Sequence, residues 1–282
     1  MNKPRPSLAD MLPIKTMIDV VDIGANPIDE TPPYKGLLDA GRARVVGFEP
    51  NGEALARLNA AKSKNETYLP DAVYDGTEQE LRICHAPGMT SLLEPDPAVL
   101  SLFHGFTEWG RVVRRERIDT VRLDDVAAIR NMDYLKIDIQ GAELGVFQNG
   151  TERLKDCLAI HTEVEFLPMY KGQPLFSEVE MFLRQQGFMI HTFSNVQIRA
   201  VQPMIVGGDP KRGLDQLFWA DAIFIRDLTK LDALSPLQLK KLALILHDVY
   251  GAYDVVLNVL MAHDAQQKSR LAPQYAEKVA RM

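Results

Sequence analysis

Residues 18–26 read Ile-Asp-Val-Val-Asp-Ile-Gly-Ala-Asn, an apolar run closed by Gly24 and a polar turn. The β-branched run predicts a buried strand over Ile18–Ile23 that Gly24 ends. A polar loop follows. Pro32 and Pro33 suit the first turn of a helix ending near Gly41, and residues 43–49 (ARVVGFE) predict a second strand. Pro50 stops that strand, Asn51 is placed to cap a helix to about Ala61, and Glu66–Leu69 starts a third strand. This alternation predicts a mostly parallel sheet covered by helices.

Further along, Glu78–Cys84 and 111–123 read as strands around a turn-rich stretch, 87–97, and predict a β-rich insertion. The alternating rhythm resumes at 134–139 (YLKIDI). A helix from about Ala142 closes near Gly150, 158–166 is a strand, and 176–186 is a helix stopped by Gly187. The last strands are 188–193 and 217–225, parted by a Gly/Pro loop at 203–213, and Ser235-Pro236 opens a C-terminal helical region. The expected organisation is an α/β domain over 1–228, with the insertion at about 76–123, and a helical extension over 229–282 packed on it.

Composition narrows the function. At 46% hydrophobic and 25% charged residues, the chain reads as a soluble globular protein rather than a disordered or fibrous one. The charge sum, 32 − 38 = −6, makes it a poor polyanion binder, so nucleic acid is not an expected partner. Asp248 and Asp254 break the longest apolar region, so no membrane span is read. The N-terminus lacks the continuous apolar core of a signal peptide. Two cysteines, Cys84 and Cys157, fit a reducing cytoplasm and exclude a disulfide framework or a CxxC zinc site.

Asp22 and Glu49 stand at the ends of consecutive strands, where open α/β sheets bind ligands. A dinucleotide fold wants GxGxxG there, whereas this chain reads Gly24-Ala25-Asn26-Pro27-Ile28. A phosphate-free adenosine cofactor with an amino-acid tail, S-adenosylmethionine, fits better. Asp22 then serves the amino-acid end and Glu49 the ribose, while Asp71-Ala72-Val73 falls at the adenine edge. A nicotinamide-dependent oxidoreductase is the competing enzyme reading, disfavoured by the missing glycines. A non-catalytic methyltransferase-like binding module is the competing non-enzyme reading, prompted by the altered loop at Pro27-Ile28.

Three blocks carry a family resemblance: 21–26 (VDIGAN), 46–51 (VGFEPN) and 135–143 (LKIDIQGAE), of which the third is the most specific. Together they resemble the FkbM-type S-adenosylmethionine-dependent methyltransferases, over about Asp19 to Phe193. The resemblance implies a Rossmann-like class I methyltransferase sheet, mostly parallel, with seven strands and the last antiparallel. It also implies O-methylation of a saccharide or secondary metabolite. Asp22, Gly24, Ala25, Asn26, Glu49 and Asp71 would line the cofactor site, with Pro50 and Ala72 beside them. Two positions depart from the family: Ile28 stands where a further glycine is usual, and Gln140 where a glutamate is common.

Methylating a hydroxyl calls for positioning and a nearby base. Asp138 lies nearest the expected methyl position, and Glu163 or Glu165 can approach it from the next strand. Lys136 reads as a paired strand residue and His161 as a structural histidine. Asp138 with Glu163, Glu165 and His161 also allows a divalent metal, but no ligand spacing supports one, and metal-free base catalysis is preferred. Arg111, Arg114, Arg115 and Arg117 read as a solvated strand face with Glu116 as partner. The alternative is a patch for an anionic acceptor. Ser91 is expected to border the site. The C-terminal segment from about Pro236 to Ala262 is apolar around most of its circumference, which predicts a homodimer covering it.

Overall fold

The computed structural model describes residues 6–26 and 31–281. Ten strands run in chain order: β1 (Ile18–Ile23), β2 (Ala43–Phe48), β3 (Glu66–Leu69), β4 (Ala72–Tyr74), β5 (Glu78–Cys84), β6 (Val112–Arg122), β7 (Tyr134–Ile137), β8 (Ala159–Glu165), β9 (Phe188–Arg199) and β10 (Gln216–Arg226). Seven of them form one sheet in the order β3-β2-β1-β7-β8-β10-β9. The pairs β1–β2, β2–β3, β1–β7 and β7–β8 are parallel, and β10, the last in the chain, is antiparallel to both β8 and β9. This is the seven-stranded sheet, with its last strand antiparallel, that the family resemblance implies. The strand order reverses beside β1, which sets the crevice at the carboxyl ends of β1 and β7. The insertion is a three-stranded sheet, β4-β6-β5.

Alternation along β1 divides the core. Val21 and Ile23 pack with Leu135, Ile137, Phe147, Ile160 and Phe188 on one face. Ile18 and Val20 pack on the other with Val45, Tyr134 and the C-terminal helices. Ser235 caps the first of these, Pro236–Ile245, in a capping box with Gln238. A wide π turn, Leu246–Tyr250, and the left-handed Gly251 (φ 65°) break the segment before the helix Tyr253–Gln267. Leu239, Leu242, Ile245, Leu246, Val256, Val259 and Leu260 are wholly buried within the chain itself. Burial of each such side chain stabilises by roughly 1.5–3 kcal/mol. The core-facing side of the segment is thus covered within the chain, while Leu237 and Met261 stay exposed on it.

The region after β1 departs from expectation. The helix is Lys35–Asp39, and the two prolines precede it in a turn that Lys35 N–H closes on Pro32 O at 2.9 Å. Gly41 does end it, in a left-handed conformation (φ 66°). The expectation about Pro27 and Ile28 lies outside the described residues.

Candidate active site

The register places Asp22 of β1 between Gly47 of β2 and Lys136 of β7, and Lys136 opposite His161 of β8. Gly24 follows in a left-handed turn (φ 76°), and a Cβ there would sit 2.0 Å from Asp138 O. Only glycine permits that approach. It brings the end of β1 against the loop after β7. Lys136 Nζ bonds Gly24 O at 3.0 Å and stands 3.4 Å from Asp22 Oδ1. Tyr34 Oη donates to Asp22 Oδ2 at 2.5 Å. Burial opposes the Lys136 ammonium, but Asp22, Asp138 and Glu163 outweigh it and hold the amine above its ordinary value. Burial and the Asp22 carboxylate both push the Tyr34 phenol up.

A cleft of about 810 Å³ opens over this rung, within the usual range for small-molecule sites. Asp22, Ala25 and Asn26 line one part of it, and Asp138, Gln140, His161, Glu163, Asp221 and Trp219 another. The two sequence-predicted acids Asp138 and Glu163 meet through one side chain. Gln140 Nε2 donates to Asp138 Oδ1 at 2.8 Å and to Glu163 Oε1 at 3.2 Å. Burial, with Asp138, Glu165, Glu143 and Asp221 nearby, drives the Glu163 carboxyl well above the usual range. Both effects favour the protonated form of Glu163. Glu143 accepts from Ile139 N–H (2.8 Å) and Gly141 N–H (3.2 Å), and burial pushes it up to about 7.

Other predicted residues lie elsewhere. Glu165 is buried, is raised by burial and by Glu143 and Asp138, and does not line the cleft. Glu49 is buried at the end of β2, where Asn51 N–H folds its carboxylate back at 2.7 Å, so neither it nor Pro50 lines the cleft. Burial raises its carboxyl against the pull of Asn51 and Lys136. Asp71 lines a separate hollow with Gly76, Thr120 and Arg122, because Ala72 starts β4, which pairs with β6 rather than continuing the main sheet.

His161 has partners for both nitrogens. Nδ1 lies 3.2 Å from Tyr250 Oη and Nε2 3.7 Å from Asp221 Oδ2. Tyr250 Oη also bonds Tyr134 Oη at 2.7 Å. The arginines of the insertion are paired: Arg115 with Glu80 and Glu94, Arg117 with Glu78, Arg114 with Glu116, Arg111 with Glu108. They form the solvated strand face expected of them. Ser91 is buried and donates to Gln140 O at 2.7 Å, so it supports the site from behind. Sequence reasoning missed Tyr34 and Tyr250. Both are tyrosines outside the recognisable blocks, brought in by the tertiary fold alone.

The Methyltransferase FkbM domain matches residues 22–190, which hold the end of β1, the insertion, Asp138 and Glu163. The chain belongs to the FkbM methyltransferase family. It is a methyltransferase whose methyl donor is S-adenosylmethionine, and the nicotinamide reading falls. No curated protein matches it. Among solved structures it is similar to magnesium protoporphyrin IX methyltransferase from Synechocystis PCC 6803 with bound SAM. That match has 9% identity over 75% of this chain and 71% of that one, with a TM-score of 0.38. It is also similar to precorrin-6y C5,15-methyltransferase from Geobacter metallireducens GS-15 (14% identity, 78% and 86% covered, TM-score 0.36). A third match is a SAM-dependent methyltransferase from Aquifex aeolicus (11% identity, 77% and 87% covered, TM-score 0.34).

Proposed function

We propose that this methyltransferase moves the methyl group to a hydroxyl of a saccharide or secondary metabolite, with Asp138 as the base. The observation that carries the reading is the convergence of Asp138 and Glu163 on the cleft that begins at Asp22, Ala25 and Asn26. The chain fits the donor. Asp22 is 2% exposed, its Oδ1 makes no hydrogen bond, and an acid so placed suits an ammonium. The tight Gly24 turn lets a ligand lie close to the backbone. Glu49 would hold the ribose once its carboxylate leaves Asn51 N–H, and Asp71 is the weakest member of the predicted donor set. When bound, S-adenosylmethionine supplies a methyl carbon already activated on sulfur.

The chain's own residues do the rest. Asp138 would accept the hydroxyl proton of the acceptor, which readies that oxygen to take the methyl group. Glu163, whose burial favours the neutral form, would donate a hydrogen bond to a neighbouring acceptor oxygen. Among the described residues the cleft is lined by the acids Asp22, Asp39, Glu66, Asp138, Glu163 and Asp221 against Lys35, Lys62, Lys64 and Lys136. That balance favours an uncharged acceptor over a phosphorylated one.

Residues 1–228 are read as the catalytic domain, with the insertion at about 76–123, and 229–282 as its helical extension. The packing of Leu239, Leu242 and Val256 in one cluster with Ile18 and Tyr134 supports this. A cytoplasmic setting is supported by two free, buried cysteines. The test is transfer of a ¹³C-methyl group to a panel of hydroxyl acceptors. A new signal in the methoxy region supports the reading, and labelling of nitrogen or carbon instead contradicts it.

A further inference from the structure

Gln140 is one of three non-glycine residues in the left-handed region among those described (φ 59°), a conformation L side chains rarely adopt. Three contacts hold it there. Ser91 Oγ, from the insertion, donates to its carbonyl at 2.7 Å. Gly141 continues the left-handed turn (φ 95°), and a Cβ on it would strike Gln173 Nε2 at 2.5 Å. Glu143 receives the N–H groups on either side, of Ile139 and Gly141. A chain conformed in this way sends the Gln140 side chain back between β7 and β8. Its amide nitrogen carries two protons, and two carboxyl oxygens stand 2.8 and 3.2 Å away. The two acids also fix the amide's orientation, since a flipped amide would set its oxygen against both.

We propose that Gln140 is the positioning residue of the site: its amide donates to both Asp138 and Glu163, spaces the two carboxyls and fixes how each faces the cleft. Without the amide the two carboxyls would share a proton directly or separate. A carboxylate at position 140 would add a third like charge to the pair. The insertion takes part through Ser91, which locks the backbone that aims the amide. This rests on the assignment of Asp138 and Glu163 to the acceptor side, but not on the identity of the acceptor.

The groups facing Glu163 are Asp138 and Glu143 from the loop after β7, Glu165 on its own strand, Asp221 on β10, and Lys136 and Tyr170. None of these is altered by the test. The carboxyl carbons of ¹³C-labelled protein are titrated by NMR in wild type, Gln140→Gly and Ser91→Ala. Glycine prefers the left-handed conformation, so Gln140→Gly keeps or raises Tm while removing the amide. The expected result is a Glu163 midpoint raised by about one pH unit, tenfold in its proton equilibrium, with a smaller rise in Ser91→Ala. A folded Gln140→Gly protein whose Glu163 midpoint does not move overturns the proposal. A wild-type midpoint in Ser91→Ala overturns the part assigned to Ser91. Because the readout is a titration, absence of methyl transfer to hydroxyls would refute the functional reading and leave this result standing.

Discussion

Tyr34 Oη donates to Asp22 Oδ2 at 2.5 Å, with both groups buried. The bond ties Tyr34, just before the helix Lys35–Asp39, to the end of β1, so the floor of the cleft is shaped by a residue twelve positions downstream. Tyr34→Phe strips a buried carboxylate oxygen of its donor. The expected loss is about 1.5–3 kcal/mol, the range for hydrogen bonds to charged groups. Urea denaturation checks it, and an unchanged midpoint would show that Lys136 alone suffices for Asp22.

Lys241 reaches from the C-terminal helix Pro236–Ile245 to Asp133, 2.6 Å away, and to Asp19, 3.7 Å away. Burial pushes the Asp133 carboxyl up, and Asp19 N–H and Lys241 pull it back. Lys241→Ala leaves a buried acid beside a second acid. Destabilisation of about 3 kcal/mol is expected, as for a broken buried pair. Tm and denaturant midpoints measure it. An effect under about 0.5 kcal/mol, typical of exposed pairs, would contradict the burial argument.

Glu49→Ala is expected to weaken S-adenosylmethionine binding about tenfold, the worth of one charge-assisted hydrogen bond. Isothermal calorimetry reads this directly. Because Glu49 rests on Asn51 N–H in this structure, an unchanged Kd would mean that it only caps the following helix.

The raised carboxyls give stability a pH dependence of definite sign. Glu163 ionises near 4.5 in the unfolded chain and well above that when folded. Between those values the folded state binds more protons, so this contribution is present at acid pH and lost as pH rises through the folded value. Glu94 and Asp75 are shifted down and act only below the ordinary carboxylate range. His191 and His263, shifted down by burial, oppose the trend below about pH 6.5 but act equally in any variant. Hence Glu163→Gln should gain in Tm relative to wild type from pH 5 to pH 8. A constant difference across that range would show that Glu163 is not protonated in the fold.

Much of the fold was legible because its strands are buried on at least one face. The third and fifth strands, Glu66–Leu69 and Glu78–Cys84, match their sequence reading, and Gly41, Asn51, Gly187 and Ser235 end or cap the elements expected of them. β9 was read six residues short. Its half from Ser194 to Arg199 runs on beside β10, past the exposed polar pair Ser194-Asn195, where the left-handed Asn195 (φ 47°) interrupts the strand pattern.

At the site, Asp22, Asp138 and Glu163 were legible as acids at strand ends. Asp71 lines a different hollow because β4 leaves the main sheet straight after it, which is a matter of pairing rather than pattern. Tyr34 and Tyr250 were not legible, whereas Ser91 was expected at the border of the site. Tyr34 reaches Asp22 across 12 positions, and Tyr250 reaches His161 across 89 and Tyr134 across 116, and isolated long-range contacts leave no periodicity to read.

The central claim is that Asp138 takes the proton while Glu163 keeps one. It is tested most directly by single-turnover methyl transfer from S-adenosylmethionine to an identified hydroxyl acceptor, in Asp138→Asn and Glu163→Gln side by side. The account predicts that Asp138→Asn binds the donor normally and loses about 10²-fold or more in rate. It predicts that Glu163→Gln, which mimics the protonated acid, stays within about fivefold of wild type, since it leaves the base in place. A normal rate in Asp138→Asn, or a collapse confined to Glu163→Gln, would contradict it.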